Sequence, residues 1–317
     1  MSFAILTANA NERKAVRHFL QLGNPIDTTQ FPHAEGCVFE TDSFLVTRQA
    51  IIKPHEDNEK NRYPLFYLEV GQKRQVGVHV PCDTMGPWGA FNKTVELLRM
   101  AKDKGWKLRY IFVVGCCGAR LRDRNKCKED CPRGTVLLAR QVKDYLNTGK
   151  VKDGRVDGNP LTHDMGDEWL EDLKVAQEAT ATKGNEAAAT KGNEAAAKSH
   201  RIAVETVNYL TGPLVIKDDL FGKPYCEGNA KITGVEMEVA GVIRAVETFY
   251  RITDDPKQKV MLVKGVSDYT GNKGEKARCM LFGRDIPAVD DDQLQVYATL
   301  QSLALVIRFV AGNIQRI

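Results

Sequence analysis

Apolar and polar positions along this chain repeat on two different periods. Five short runs are rich in apolar and β-branched residues: Phe3–Thr7 (FAILT), Gln75–Val80 (QVGVHV), Tyr110–Val114 (YIFVV), Gly134–Ala139 (GTVLLA) and Lys259–Val266 (KVMLVKGV). Each has the length and composition of a buried strand. Between them, apolar residues recur at helical spacing. A helix is predicted over Glu12–Leu22, directly after the first strand. Ala90, Val95, Leu97 and Leu98 form a second helical stripe, and residues 292–317 read as a long closing helix.

Strands alternating with helices predict an α/β fold of three layers, α/β/α, around a central mixed, largely parallel twisted sheet. In such sheets ligands collect beyond the carboxyl ends of the strands. Asn11 and Glu12 follow the first strand. The glycine-bearing segment GCCGA (115–119), expected as a turn, follows YIFVV, and Asp268 follows KVMLVKGV. Three distant segments are thereby expected to share one site.

One stretch departs from the pattern. The octapeptide TKGNEAAA occurs twice in tandem, at 182–189 and 190–197. Its alanines and glutamate favour helix, a Lys-Gly-Asn in each copy interrupts it, and neither copy can build a core. Residues 169–200 are therefore expected to form a solvent-facing insertion in a single domain spanning 1–317.

Composition narrows the function classes. Hydrophobic residues make up 43% and charged residues 27%, as in globular proteins. A net charge of +4 without a basic stripe gives no sign of a nucleic-acid partner. The N-terminus lacks the pattern of a signal peptide, and no apolar run reaches the roughly 18 residues of a membrane span. A cytoplasmic protein without a membrane partner is the expectation. Its eight cysteines are scattered and read as free thiols. Cys127 and Cys131 lack a second pair or nearby histidines, so no metal site is expected.

The chemistry concentrates in two motifs. GVEMEVAG (234–241) places Met237 between Glu236 and Glu238 just before an apolar helix. A helix N-terminus favours one acidic residue through its macrodipole. It does not account for a methionine between two of them. GVSDYTG places Asp268 at the end of a buried strand.

Together these motifs resemble the superfamily of purine nucleoside phosphorylase, uridine phosphorylase and methylthioadenosine/adenosylhomocysteine nucleosidase, where V-E-M-E and V-S-D occur in this order. FAILTANANERKAV is similar to the superfamily's first strand and loop, and DTMGPWGAFNKTVELL to its G-x-x-N-A-A helix. FVVGCCGA is similar to its S/T-x-G-G turn, and TGPLVIKDDLF to the stretch before V-E-M-E. The likeness spans about 1–150 and 205–312 and implies a nucleoside phosphorylase-like domain that cleaves N-glycosidic bonds. By that resemblance Glu238 accepts hydrogen bonds from the ribose diol, Met237 packs under the sugar, and Asp268 acts on purine N7 as general acid. Leu220 and Phe221 fall near the base-stacking stretch. A homo-oligomer is the implied assembly, the partner is a small-molecule purine nucleoside or nucleotide, and no cofactor is implied.

What attacks the sugar stays open between two readings. Glu12 stands where the nucleosidases carry a water-activating glutamate, which favours hydrolysis. Phosphorylases hold inorganic phosphate, their co-substrate, with arginines, and Arg13 and Arg120 lie near the relevant segments. Where the superfamily has Ser or Thr, this chain has Cys116, followed by Cys117 and Gly118. A thiol donates poorly, so an oxyanion there would rely on backbone N–H groups. That leaves a third reading, a purine-binding protein without turnover. A nucleophilic role for the cysteine pair is disfavoured, because no histidine is close in sequence.

Overall fold

The structure is a computed structural model. It describes residues 3–22, 27, 29–33, 50–55, 62–121, 131–145, 150–152, 155–157, 161–166, 202–213, 232–253, 258–269 and 277–314. The tandem repeats, Leu220 and Phe221 lie outside the described residues.

Fourteen strands are described. In chain order they are β1 (Phe3–Thr7), β2 (Ala50–Pro54), β3 (Leu65–Val70), β4 (Lys73–Pro81), β5 (Tyr110–Leu121), β6 (Val136–Asp144), β7 (Lys150–Lys152) and β8 (Arg155–Asp157). Then come β9 (Leu161–Asp164), β10 (Val204–Thr211), β11 (Ile232–Glu236), β12 (Lys259–Tyr269), β13 (Ala277–Leu281) and β14 (Arg284–Val289). Ten of them form one mixed sheet; β7–β8 and β13–β14 are separate pairs. Pairing is parallel through β4–β1–β5–β12 and through β6–β10–β11. It is antiparallel where β12 meets β6 and along β2–β3–β4. β11 also pairs with the far half of β5, from Gly118↔Val235 to Leu121↔Ile232, so β5, β12, β6, β10 and β11 close on one another.

The period-two pattern of the apolar strands explains the layers. Phe3, Ile5, Phe112, Val114, Met261 and Val263 pack against α1 (Ala10–Phe19) and α4 (Asp291–Ile314). Ala4, Leu6, Ile111, Val113 and Leu262 share the opposite core with α2 (Pro87–Asp103) and α3 (Val239–Thr253). Helix α4 is long and apolar enough to cross a membrane by length and composition, yet 94% of that window is buried inside the fold. This is a core helix.

One expectation changes. GCCGA is no turn: Gly115–Ala119 continue β5, paired residue by residue with β12 from Lys264↔Gly115 to Tyr269↔Ala119. Glycine marks close approach here, not reversal of the chain. Asp268 lies at the end of β12, as expected, just past a register shift between Val266 and Asp268. Such an irregularity re-aims a side chain without ending the strand.

One polar residue in the sheet carries a stability consequence. His79, on β4, is fully buried; its Nε2 lies 3.0 Å from Thr7 Oγ1, and its Nδ1 has no hydrogen-bond partner among the described residues. Burial first, then Arg17 and Arg13, push its pKa from 6.5 to about 3. The unfolded chain accepts a proton that the folded protein refuses. Stability present above the unfolded value is therefore lost as pH falls toward the folded one. His79→Gln should flatten the acid limb of stability against pH by up to about 1.4 kcal/mol per pH unit. Denaturant unfolding across the acid range checks this; identical pH dependence in both proteins would show that His79 contributes nothing to acid sensitivity.

Candidate active site

The site begins where β1 stops. β1 is short, whereas β5 and β12 continue beyond it, leaving a gap past Thr7 that the following loop and α1 fill. Asn9 caps α1: its side chain accepts the Glu12 N–H at 2.8 Å, and Glu12 reaches back to the Asn9 N–H at 3.2 Å. This reciprocal capping box starts the helix at Ala10 and turns the Glu12 carboxylate inward. Glu12 is 1% exposed. Its Oε2 also accepts the Ala8 N–H at 2.6 Å, and its Oε1 accepts the Cys116 N–H at 2.9 Å. Gly115 makes that approach possible, because a Cβ there would stand 1.9 Å from Glu12 Oε1.

A second carboxylate pair arrives from β11. Glu236 ends the strand and accepts the N–H groups of Glu238 at 2.8 Å and Val239 at 3.0 Å, satisfying free donors at the start of α3. The helix-N-terminus reading thus applies to Glu236. Glu238 turns elsewhere: its Oε1 accepts the Gly86 N–H at 3.2 Å. Gly86 precedes α2, and the starts of α2 and α3 meet closely because Gly241 has no side chain; a Cβ there would lie 1.9 Å from Pro87 O.

These carboxylates converge on one cation that the sequence reading missed. Lys264, on β12, is 2% exposed. Its Nζ lies 2.8 Å from Glu238 Oε2, 3.5 Å from Glu12 Oε1 and 4.0 Å from Glu236 Oε2. The signal was present: a lysine inside the apolar run KVMLVKGV must find counter-charges if the strand is buried. Burial pulls its pKa down, but Glu12, Glu238 and Glu236 outweigh burial and hold it well above the ordinary value. Lys264 therefore stays an ammonium. Burial raises Glu236 to about 7, with Lys264 opposing and Glu238 reinforcing the rise.

The remaining predicted residues separate into rim and interior. Asp268, Met237, Cys116 and Gly118 keep partial solvent contact above the buried cluster. Asp268 stands beside Gly118, whose Cβ would lie 3.0 Å from its Oδ1, and its Oδ2 accepts the Ser267 hydroxyl at 3.4 Å. Asn9 Nδ2 donates to Cys116 Sγ at 3.6 Å. The enclosed position of the Cys116 sulfur, then the Glu12 carboxylate, raises its pKa well above the ordinary thiol value, so it stays a thiol. Cys117 is not brought to the cluster: it is buried with its sulfur 3.6 Å from the Tyr209 hydroxyl, and burial raises its pKa also. Among the described residues no group of three or more His, Cys, Asp or Glu side chains is arranged to hold a metal.

No family model matches the chain, and no curated protein matches it in sequence. Its fold does match solved structures. The 5′-methylthioadenosine/S-adenosylhomocysteine nucleosidase of Neisseria meningitidis, solved with methylthio-immucillin-A, aligns at TM-score 0.52 and 13% identity over 98% of each chain. The corresponding enzyme of Colwellia psychrerythraea, solved with adenine, aligns at 0.52 and 16% identity over 98% of this chain and 95% of that one. The futalosine hydrolase of Helicobacter pylori aligns at 0.50 and 12% identity over 100% and 98%. The chain has the nucleoside phosphorylase-like fold.

Removing the shared cation should be costly. Lys264→Met leaves three buried carboxylates without a counter-charge, and a loss of about 3–5 kcal/mol is expected. Lys264→Arg should recover part of it. Denaturant titration at mildly alkaline pH gives the loss, which should shrink in acid as Glu236, whose pKa burial raises, takes up a proton. Wild-type stability in Lys264→Met at both pH values would contradict the cluster.

Proposed function

We propose that this protein hydrolyses the N-glycosidic bond of a purine nucleoside or nucleotide. The observation that carries the reading is the bridge from Glu12 through Lys264 to Glu238. It brings two carboxylates with separate tasks to one ammonium beneath a partly open rim. Glu238 keeps lone pairs beyond those taken by Gly86 and Lys264, and a carboxylate suits the two hydroxyls of a ribose. Glu12 orients and deprotonates the attacking water. Met237, half-buried beside Gly86, offers a polarizable surface to the sugar. Asp268, on the rim, donates to the purine ring so that the base leaves neutral.

Charge favours water over phosphate as the nucleophile. A phosphate dianion needs several cations or free backbone donors. Here three carboxylates share one ammonium, and the Cys116 N–H already belongs to Glu12. The proteins that share the fold agree in class, being named as nucleosidases or a hydrolase. Lys264 acts here as a positioning residue that holds both working carboxylates in place.

Incubation with a panel of purine nucleosides and nucleotides in phosphate-free buffer tests the proposal. Free base and free sugar are expected. Strict dependence on phosphate, with ribose 1-phosphate as product, would make the protein a phosphorylase. Tight purine binding without base release would make it a non-catalytic purine-binding protein.

Asp268→Asn should lower kcat by about 100- to 10,000-fold with little change in KM, because base protonation matters chiefly in the transition state. Near wild-type turnover would remove Asp268 from the mechanism. Glu238→Gln should erase the preference for ribosides over 2′-deoxyribosides; equal damage to both substrates would mean that the diol is held elsewhere.

A further inference from the structure

Glu236 is the carboxylate of the cluster to which the proposed chemistry gives no substrate contact. Its side chain has no solvent exposure, and it binds two backbone N–H groups. At 4.0 Å it is too far from Lys264 for a hydrogen bond, yet near enough to feel the full charge of the ammonium in a buried setting. One N–H that it holds belongs to Glu238, so it fixes the backbone from which the proposed diol-binding carboxylate projects.

A second observation comes from β10. Thr211 is directly opposite Glu236 in the β10–β11 register. Its hydroxyl is fully buried and interacts with the Glu236 carboxyl, favouring the ionised form. A hydroxyl can donate to an ionised carboxylate or accept from a protonated one.

We infer that Glu236 is a positioning residue whose charge decides how tightly Lys264 holds Glu238 and Glu12. With a proton on Glu236, the ammonium is shared by two carboxylates and its short contact to Glu238 is favoured. Without it, a third charge draws on the same ammonium, and the hold on Glu238 loosens. The titratable groups that face Glu236 are Lys264 from β12, Glu238 in its own segment and Tyr209 from β10; beyond Lys264 stand Glu12 of α1 and Cys116 of β5. Lys264 stays charged, and Tyr209 and Cys116 are held protonated by burial, so none of these three changes charge near neutrality. Burial raises Glu236 toward neutrality, against the pull of Lys264, so its own change of charge is expected there.

The inference concerns catalysis only if the functional reading above holds, so the test has an arm that needs no substrate. Carbon-13 NMR of glutamate carboxyls in ligand-free protein should show one buried carboxyl titrating near neutrality. That signal should vanish in Glu236→Gln, and Glu238 should shift with the same midpoint only when Glu236 is intact. Absence of the titration, or its survival in Glu236→Gln, overturns the inference whatever the substrate.

In the kinetic arm, wild-type kcat/KM for base release should fall by about tenfold as pH rises through neutrality, the size of coupling between closely interacting groups. Glu236→Gln, verified as folded by its unfolding transition, should lose that fall. A pH ratio unchanged in Glu236→Gln overturns the inference. Coupled NMR titrations in a protein that releases no base would sink the functional reading while supporting the charge coupling.

Discussion

The structure turns on one buried ammonium. Lys264 has three carboxylates around it and is 2% exposed, so each partner's position depends on the others. Taking such a cluster out of water costs more than most single contacts return, and only near-complete satisfaction makes it tolerable. Here the satisfaction is extensive. Glu12 takes backbone donors from Ala8, Asn9 and Cys116, Glu236 takes those of Glu238 and Val239, and Glu238 takes that of Gly86. Five of these six donors lie at or next to helix starts. The fold supplies polar partners where the charges need them.

Those starts meet because of particular small residues and unequal strands. β1 ends early while its neighbour β5 runs on, and the start of α1 lies past Thr7 against Gly115 and Cys116 of β5. Gly115 leaves room for Glu12, and Gly241 lets α2 and α3 touch so that Gly86 reaches Glu238. The closure of β11 onto β5 then carries Glu236 and Glu238 to the same place as Gly115 and Lys264. Each device is local, and their product is a buried charge cluster beneath a half-open rim that holds Asp268 and Met237.

Much of this was legible before any coordinates. The near-continuous apolar runs at Phe3–Thr7 and Lys259–Val266 announce buried strands because a strand covered on both faces must be apolar throughout. The carboxylates Glu12, Glu236, Glu238 and Asp268 were singled out from motif and position. What escaped was the partner that unites three of them. Lys264 interrupts an apolar run and has no neighbour in sequence to explain it; its counter-charges come from β11 and α1, far away along the chain. The glycines of GCCGA misled for a related reason. Glycine permits both a turn and a close approach, and only the strand pairing of β5 with β12 decides between them. The capping box of Asn9 and Glu12 was readable from N-x-x-E, but its burial was not.

The central claim is that Lys264 arranges Glu12 and Glu238 for hydrolysis at a ribosyl carbon. The most direct measurement is a crystal structure with a purine nucleoside analogue whose sugar mimics the cationic transition state. The account predicts both ribose hydroxyls on Glu238, the purine ring against Asp268, and an ordered water held by Glu12 beneath the anomeric carbon. An analogue bound away from the Lys264 cluster, or a phosphate ion in place of that water with Glu12 turned aside, would contradict it.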